Sequence, residues 1–231
     1  MKNNFKAGIT NLYSKRFIRI PIIIFITIQI ILNALSYNID RQTYNIDYYS
    51  EYSKEYNIKD YAGENQKNLE EMYTKLILYI KSGFNFLLED FNDRETRHME
   101  DVHQLYVFKD KITLTATTII LSIIILLFGS QKIRKENIKI FIITFISIFV
   151  VLGILLIIIY LDFDEAFIKF HKIFFDNDLW ILDPRTDIMI RMLPQDYFMQ
   201  LAFRIFIGFI KDIFLIIFMF LGISKLRTNF N

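Results

Sequence analysis

Residues 140–161 read IFIITFISIFVVLGILLIIIYL, a run of 22 positions with no charged side chain. About 20 apolar residues in a helix cross the hydrocarbon core of a bilayer. Two more uncharged runs have that length, Ile20 to Ile39 and Ile112 to Gln131. A fourth, Ile205 to Ser224, is equally greasy but holds Lys211 and Asp212. The whole chain has 231 residues, 53% hydrophobic and 23% charged. A soluble domain of that size has one core and a mostly polar shell, which leaves no room for four such runs. The pattern predicts an all-α membrane protein with four transmembrane helices, at about 20–39, 112–131, 140–161 and 203–224. Surface helices from the two polar segments, 40–111 and 162–202, form a cap, and residues 1–231 make one integral membrane domain. Cysteine is absent, which excludes disulfides, thiolate metal sites and a cysteine nucleophile.

The net charge of +2 conceals a strong segregation. Lys2, Lys6, Lys15, Arg16 and Arg19 precede the first run, Lys132, Arg134, Lys135 and Lys139 follow the second, and Lys225 and Arg227 end the chain. Together these stretches hold 11 basic groups against Glu136 alone, whereas 40–111 and 162–204 carry 15 basic and 23 acidic groups. The positive-inside rule then places both termini in the cytoplasm and the two polar segments outside a cell membrane that the chain crosses several times. The first run, with its basic flank and no small-residue cleavage site, reads as a retained signal-anchor.

Ten of the 13 tyrosines fall between Tyr37 and Tyr106, a density that predicts an interfacial belt at head-group depth, with a lipid or peptide groove as the alternative. Leu69, Met72, Tyr73, Leu76, Ile77 and Ile80 recur at helical spacing within 64–82, and Gly83 stops that helix. Asn92 with Glu95 makes a capping-box start for a second helix over 92–105. The Phe and Ile residues around His171 predict a helix lying at the membrane surface, and Asp176, Asn177, Asp178, Asp183 and Pro184 are loop chemistry.

Three histidines supply the groups that titrate near neutrality, and all fall in the outer segments. Glu95, His98 and Asp101 follow one another at intervals of three on one helix, so neighbours in the series touch, while His103 points away. A carboxylate beside an imidazole fixes its tautomer and supports general acid/base chemistry. A metal site is the rival use of the histidines, but His98 and His103 lack the i, i+4 spacing of a helical pair, no HExxH motif occurs, and no metal is expected. Neither GxSxG nor a phosphate-binding loop is present, and the short basic flanks give nucleic-acid binding no support. Lys211 and Asp212 in the fourth run predict an internal ion pair or a hydrogen bond to another helix, with contact to a lipid head group or substrate as the alternative.

The string Arg94-Glu95-Thr96-Arg97-His98-Met99-Glu100-Asp101-Val102 resembles one motif of a known family. The string from Phe170 through His171, Asp176-Asn177-Asp178, Trp180 and Asp183-Pro184, followed by Asp187 and Met192-Leu193-Pro194, resembles a second. Together they are similar to the lipoprotein intramolecular transacylase (Lit) family, four-span integral membrane proteins of low-GC Gram-positive bacteria. The resemblance implies an acyltransferase acting on diacylated bacterial lipoproteins, whose N-terminal cysteine carries a thioether-linked diacylglyceryl group. The sn-2 acyl chain moves to the α-amino group of that cysteine, giving the lyso form without a cofactor. It also implies His98 and His171 as the catalytic pair, as base and acid or with one attacking to form an acyl-imidazole. Glu95, Asp101, Asp176 and Asp178 become candidates for orienting the rings, and Asn177 and Trp180 candidates for stabilising an oxyanion. A membrane lipid acyl hydrolase and a non-enzymatic interaction or sensor protein are the alternative functions.

Overall fold

A computed structural model describes residues 16–128 and 134–229. Among the described residues all regular structure is helical. In chain order the helices are α1 (Arg16–Thr43), α2 (Ile46–Glu55), α3 (Ile58–Ala62), α4 (Gln66–Ser82), a 3-10 turn (Asn85–Leu88), α5 (Asp93–Phe128), α6 (Arg134–Leu161), α7 (Phe163–Phe174), α8 (Ile188–Met192) and α9 (Gln195–Asn229). Lys2, Lys6, Lys15, Lys132 and residues 129–131 of the second expected span lie outside the described residues. So do the side chains of Arg16, Arg19, Arg134, Lys135, Glu136, Lys225 and Arg227. The chain divides into two compact units, Met1–Ala34 with Lys111–Ile159, and Leu35–Asp110 with Tyr160–Asn231.

In the first unit, α6 is apolar on almost every side. Its stretch Lys139–Leu161 has a mean hydropathy of 3.3. Ile143, Ile146, Val150, Val151, Ile154, Leu155, Ile157 and Ile158 are all more than half exposed. Apolar surface in water costs about 25 cal/mol per Å², so a helix this naked needs lipid around it. Phe141 and Phe145, one turn apart, are its buried pair. In α1, Ile23, Ile26 and Ile31 face inward. Hydroxyls in these helices bond to the carbonyl one turn back, Thr27 Oγ1 to Ile23 at 2.7 Å, Thr117 Oγ1 to Thr113 at 2.7 Å and Ser147 Oγ to Ile143 at 2.9 Å. That satisfies them where water is absent. Asn33 Nδ2 reaches Thr117 Oγ1 at 3.0 Å, tying α1 to α5. Among the described residues two helices, Ile20–Thr43 and Lys139–Leu161, are long and apolar enough to cross a membrane. The described part of the second expected span and the fourth fall within α5 and α9, helices of 36 and 35 residues.

The second unit has a tyrosine core. Tyr49 stacks on Tyr73 with centroids 4.1 Å apart, and Tyr197 meets both edge-on. Their hydroxyls are all used. Tyr73 donates to the Thr43 carbonyl at 2.6 Å and accepts from Tyr197 at 2.7 Å, and Tyr49 donates to the Met192 carbonyl at 3.3 Å. Tyr48, Tyr49, Tyr52, Tyr73 and Tyr79 are buried, so they are not the expected head-group belt; Tyr56 and Tyr61 are exposed. Buried phenols need both a packing partner and a hydrogen-bond acceptor, and here neighbouring tyrosines and helix-end carbonyls provide them. Helix α4 buries the six residues expected from its spacing against this core.

The helix expected to stop at 105 continues as α5 to Phe128. No Gly or Pro interrupts 93–128, and the charges in the middle are accommodated. Lys109 is half-buried between Asp40 and Asp110, and Tyr106 OH donates to Thr43 Oγ1 at 3.1 Å. Gly83 ends α4 in the left-handed region at φ 70°, its N–H on the Tyr79 carbonyl at 2.7 Å. A Cβ there would lie 2.8 Å from His103 Nε2, whereas one on Gly63, at φ 75°, would meet nothing within 4 Å. Gly63→Ala should therefore carry only the left-handed penalty of about 1 kcal/mol. Gly83→Ala adds a clash to that penalty and should lower the thermal unfolding midpoint further, measured on purified protein.

Candidate active site: two buried imidazoles

The site is built by three pieces of the second unit: the first turns of α5, the helix α7, and the loop from Phe175 to Asp187. Helix α5 starts with a reciprocal capping box. Asn92 N–H donates to Glu95 Oε2 at 2.9 Å and Glu95 N–H to Asn92 Oδ1 at 3.0 Å. This fixes the first turn, and His98 follows one turn later. Helix α7 is capped by Asp162, whose Oδ1 accepts from Glu165 N–H at 3.1 Å. Phe163, Phe167, Phe170 and Phe174 recur at three- and four-residue steps along it, and His171 joins the part of that face turned inward.

These pieces bring His98 and His171 together with ring centroids 6.0 Å apart. Both are buried, 8% and 7% exposed. Phe167 lies 4.3 Å from the His171 ring, Trp180 stacks on it at 4.8 Å and 24°, and Phe175 stands edge-on to His98 at 5.3 Å. His171 Nδ1 is 2.7 Å from the Phe167 carbonyl. A carbonyl only accepts, so Nδ1 carries the proton and Nε2 presents a lone pair while the ring is neutral. His98 Nδ1 is buried and has no hydrogen-bond partner among the described residues. Burial, then the neighbouring His171, hold His98 down to about 4, with Asp101 pulling weakly the other way. Burial also lowers His171, opposed by its bond to Phe167. Both imidazoles are neutral at neutral pH.

The remaining expected residues act at different distances from the rings. Glu95, 1% exposed, accepts from Asn92 N–H and also from Met189 N–H at 2.6 Å, so its carboxylate ties α5 to α8. Asp101 favours a charged His98 and accepts from Asn177 Nδ2 at 2.9 Å. Asn177 Oδ1 accepts from Leu179 N–H at 3.0 Å, so the amide braces its own loop and ties it to α5. Asp176 and Asp178 are exposed. Asp178 contributes its carbonyl, which takes a bond from the Arg94 guanidinium. Trp180 contributes a ring face. The tautomer of His171 is thus set by a main-chain carbonyl of α7. His103 stands apart, donating from Nδ1 to the Ile80 carbonyl at 2.8 Å.

Four contributors were given no role in the sequence reading, although Arg94 and Asp187 stand in its motif strings. Phe167 and Phe175 wall the imidazoles, and Arg94 holds the loop through the Asp178 carbonyl and, from Nε, the Ile181 carbonyl at 3.1 Å. Asp187, almost fully buried, accepts from Asn92 Nδ2, Thr186 Oγ1 and Asp183 N–H and folds the loop back onto the start of α5. The phenylalanine spacing on α7 was a usable signal; the loop bonds had none. Among the described residues no group of three or more His, Asp or Glu side chains is placed to hold a metal ion.

A depressed imidazole makes folding pH-dependent. Between the ordinary 6.5 and about 4 the unfolded chain binds a proton at position 98 that the folded chain refuses. Stability should be complete above that window and decline as pH falls through it, by up to roughly 3 kcal/mol from His98. Thermal unfolding followed from pH 7.5 to 4.5 should show the decline, and His98→Leu should lose most of it.

A family model described as lipoprotein intramolecular transacylase Lit matches residues 22–198. No curated protein matches the chain. Among solved structures, the membrane integral lipoprotein intramolecular transacylase Lit from Bacillus cereus is similar at a TM-score of 0.78 and 22% identity, over 93% of this chain and 99% of that one. A form of the same Bacillus cereus protein with one histidine mutated to arginine gives 0.77 and 22%, over 97% and 100%. With the family model spanning most of its length, the chain belongs to the lipoprotein intramolecular transacylase Lit family.

Proposed function

We propose that the chain is an intramolecular O-to-N transacylase of diacylated lipoproteins. It moves the sn-2 acyl chain of the diacylglyceryl cysteine to the cysteine α-amino group, with His98 and His171 moving the protons. The observation that carries the reading is the buried pair of neutral imidazoles 6.0 Å apart. Membership of the family and the naked apolar surface of α6 support the lipid setting. On this reading the chain is one integral membrane body with four spans, both termini are cytoplasmic, and the pair faces outward at head-group level.

The reaction needs no second substrate. Ester and amine belong to one molecule, so the site's first task is to fold them together, which supplies proximity. The substrate ammonium first loses a proton to one imidazole. Its nitrogen then attacks the ester carbonyl, the N–C bond forms, and the nitrogen passes a second proton to the other imidazole. The C–O bond to glycerol breaks and the leaving oxygen takes a proton from the first imidazole. One N–H stays in the new amide, one proton ends on the glycerol hydroxyl, and one is released. His171 is the better base, because the Phe167 carbonyl holds its proton on Nδ1 and leaves Nε2 as acceptor. His98, whose Nδ1 has no partner among the described residues, is the ring free to hand a proton on. Glu95 and Asp187 serve as positioning residues through α5 and the loop.

The test is expression of the full chain in a bacterial strain without lipoprotein N-acylation, followed by mass analysis of a lipoprotein N-terminus. Transfer keeps the total acyl mass and moves one chain to nitrogen; a hydrolase loses one chain. His98→Ala and His171→Ala should each reduce conversion at least ~100-fold, the usual scale for losing a general acid or base, with unchanged membrane content. If both variants continue to make the lyso form, the catalytic assignment fails. If the wild-type chain leaves the lipoprotein unaltered, the activity itself fails.

A further inference from the structure

Two basic groups on α9 take no part in the chemistry above. Arg204 and Lys211 are both exposed, seven residues apart and so on one side of the helix. The same side carries Ile207, Phe214, Leu215 and Phe218, between 50% and 76% exposed. Such a face suits lipid, and the proposal below rests on the fourth span of the reading just given, though not on the histidines. A cation presented to lipid tails is costly unless it meets an anion or reaches the interface.

Arg204 is held in place. Its guanidinium lies over the Tyr48 ring, 3.9 Å from the centroid, and its Nε donates to Gln42 Oε1 at 3.3 Å. The clamped side chain is exposed. Asp212, next to Lys211 in the chain, already accepts from Asn38 Nδ2 at 2.7 Å, satisfying the expected hydrogen bond to another helix. Lys211 lies about 10 Å further along the helix axis. Side chains of a helix lean toward its N-terminus, so the flexible lysine stem bends back toward Arg204 and closes part of that gap.

We infer that Arg204 and Lys211 hold the head-group phosphodiester of one anionic phospholipid, whose acyl chains lie along Ile207, Phe214, Leu215 and Phe218. The charge argues for the class. Arg204, Lys211 and Asp212 sum to one positive charge, which one phosphodiester neutralises. A zwitterionic head group would add its own ammonium to a face that is already cationic. An arginine fixed as a fork and a mobile lysine are a normal division of labour around phosphate.

Purified full-length protein in detergent micelles tests this by native mass spectrometry and thermal unfolding. Phosphatidylglycerol, phosphatidylcholine or inorganic phosphate is added separately. Phosphatidylglycerol should be retained and should raise the unfolding midpoint saturably by a few degrees. Phosphatidylcholine at the same mole fraction, and phosphate alone, should do neither. Lys211→Gln should cut retention several-fold, and Arg204→Gln with Lys211→Gln should abolish it. Equal retention of both lipids by the wild-type chain overturns the proposal without any variant. So does the same stabilisation by phosphate, or a double variant that binds as the wild type does. None of these outcomes bears on transacylation, which the lipoprotein mass assay reads separately.

Discussion

The Glu95 carboxylate is the constraint on which the site's geometry hangs. It is nearly fully buried, and burial pushes its pKa up. It stays useful because two main-chain N–H groups, of Asn92 and Met189, converge on it. A hydrogen bond to a charged group contributes about 1.5–3 kcal/mol, and removing one partner leaves the other desolvated and unpaired. One side chain therefore caps the helix that carries His98 and pins the short helix that closes the Trp180 loop. Asp187 repeats the device from the loop side, reaching Asn92 while holding Asp183 and Thr186. Between them the two acids fix the backbone on both sides of the imidazole pair without touching either ring.

The rings themselves sit where charge is disfavoured. Aromatic side chains surround His171 on several sides, and the nearest carboxylate to act on His98, Asp101, is outweighed by burial and by the second imidazole. Two neutral imidazoles side by side avoid the repulsion that two protonated ones would suffer. The environment thus supplies acceptors at neutral pH, at the expense of basicity.

Much of this was legible in the sequence, for identifiable reasons. Helix α4 could be read to within two residues, because its apolar spacing is regular and Gly83 supplies the left-handed stop. The capping box of Asn92 and Glu95 was visible because it is a contact between neighbours. The extent of α5 was misjudged because the charges at 109–111 look like a break until Asp40, distant in sequence, is seen to neutralise Lys109. The tyrosines were misassigned for the same reason: the acceptors that let phenols be buried, the carbonyls of Thr43 and Met192, are main-chain groups that no side-chain pattern announces. His98 and His171, singled out in the sequence, lie with ring centroids 6.0 Å apart. The group that fixes the His171 tautomer was not singled out, since a carbonyl one turn back on the same helix leaves no mark in the sequence.

The aromatic surround of His171 also bears on which acyl reaction the proposal favours. A hydrolase needs a water positioned and activated at the imidazole, with polar neighbours to hold it. Around His171 the neighbours are Phe167, Phe170, Phe175 and Trp180, which offer ring faces to an acyl chain and few bonds to a water. An amine delivered on the same molecule as the ester arrives at a high effective concentration, and it does so without opening the aromatic wall to solvent. The transfer to nitrogen proposed above draws on this aromatic packing and on two neutral proton acceptors.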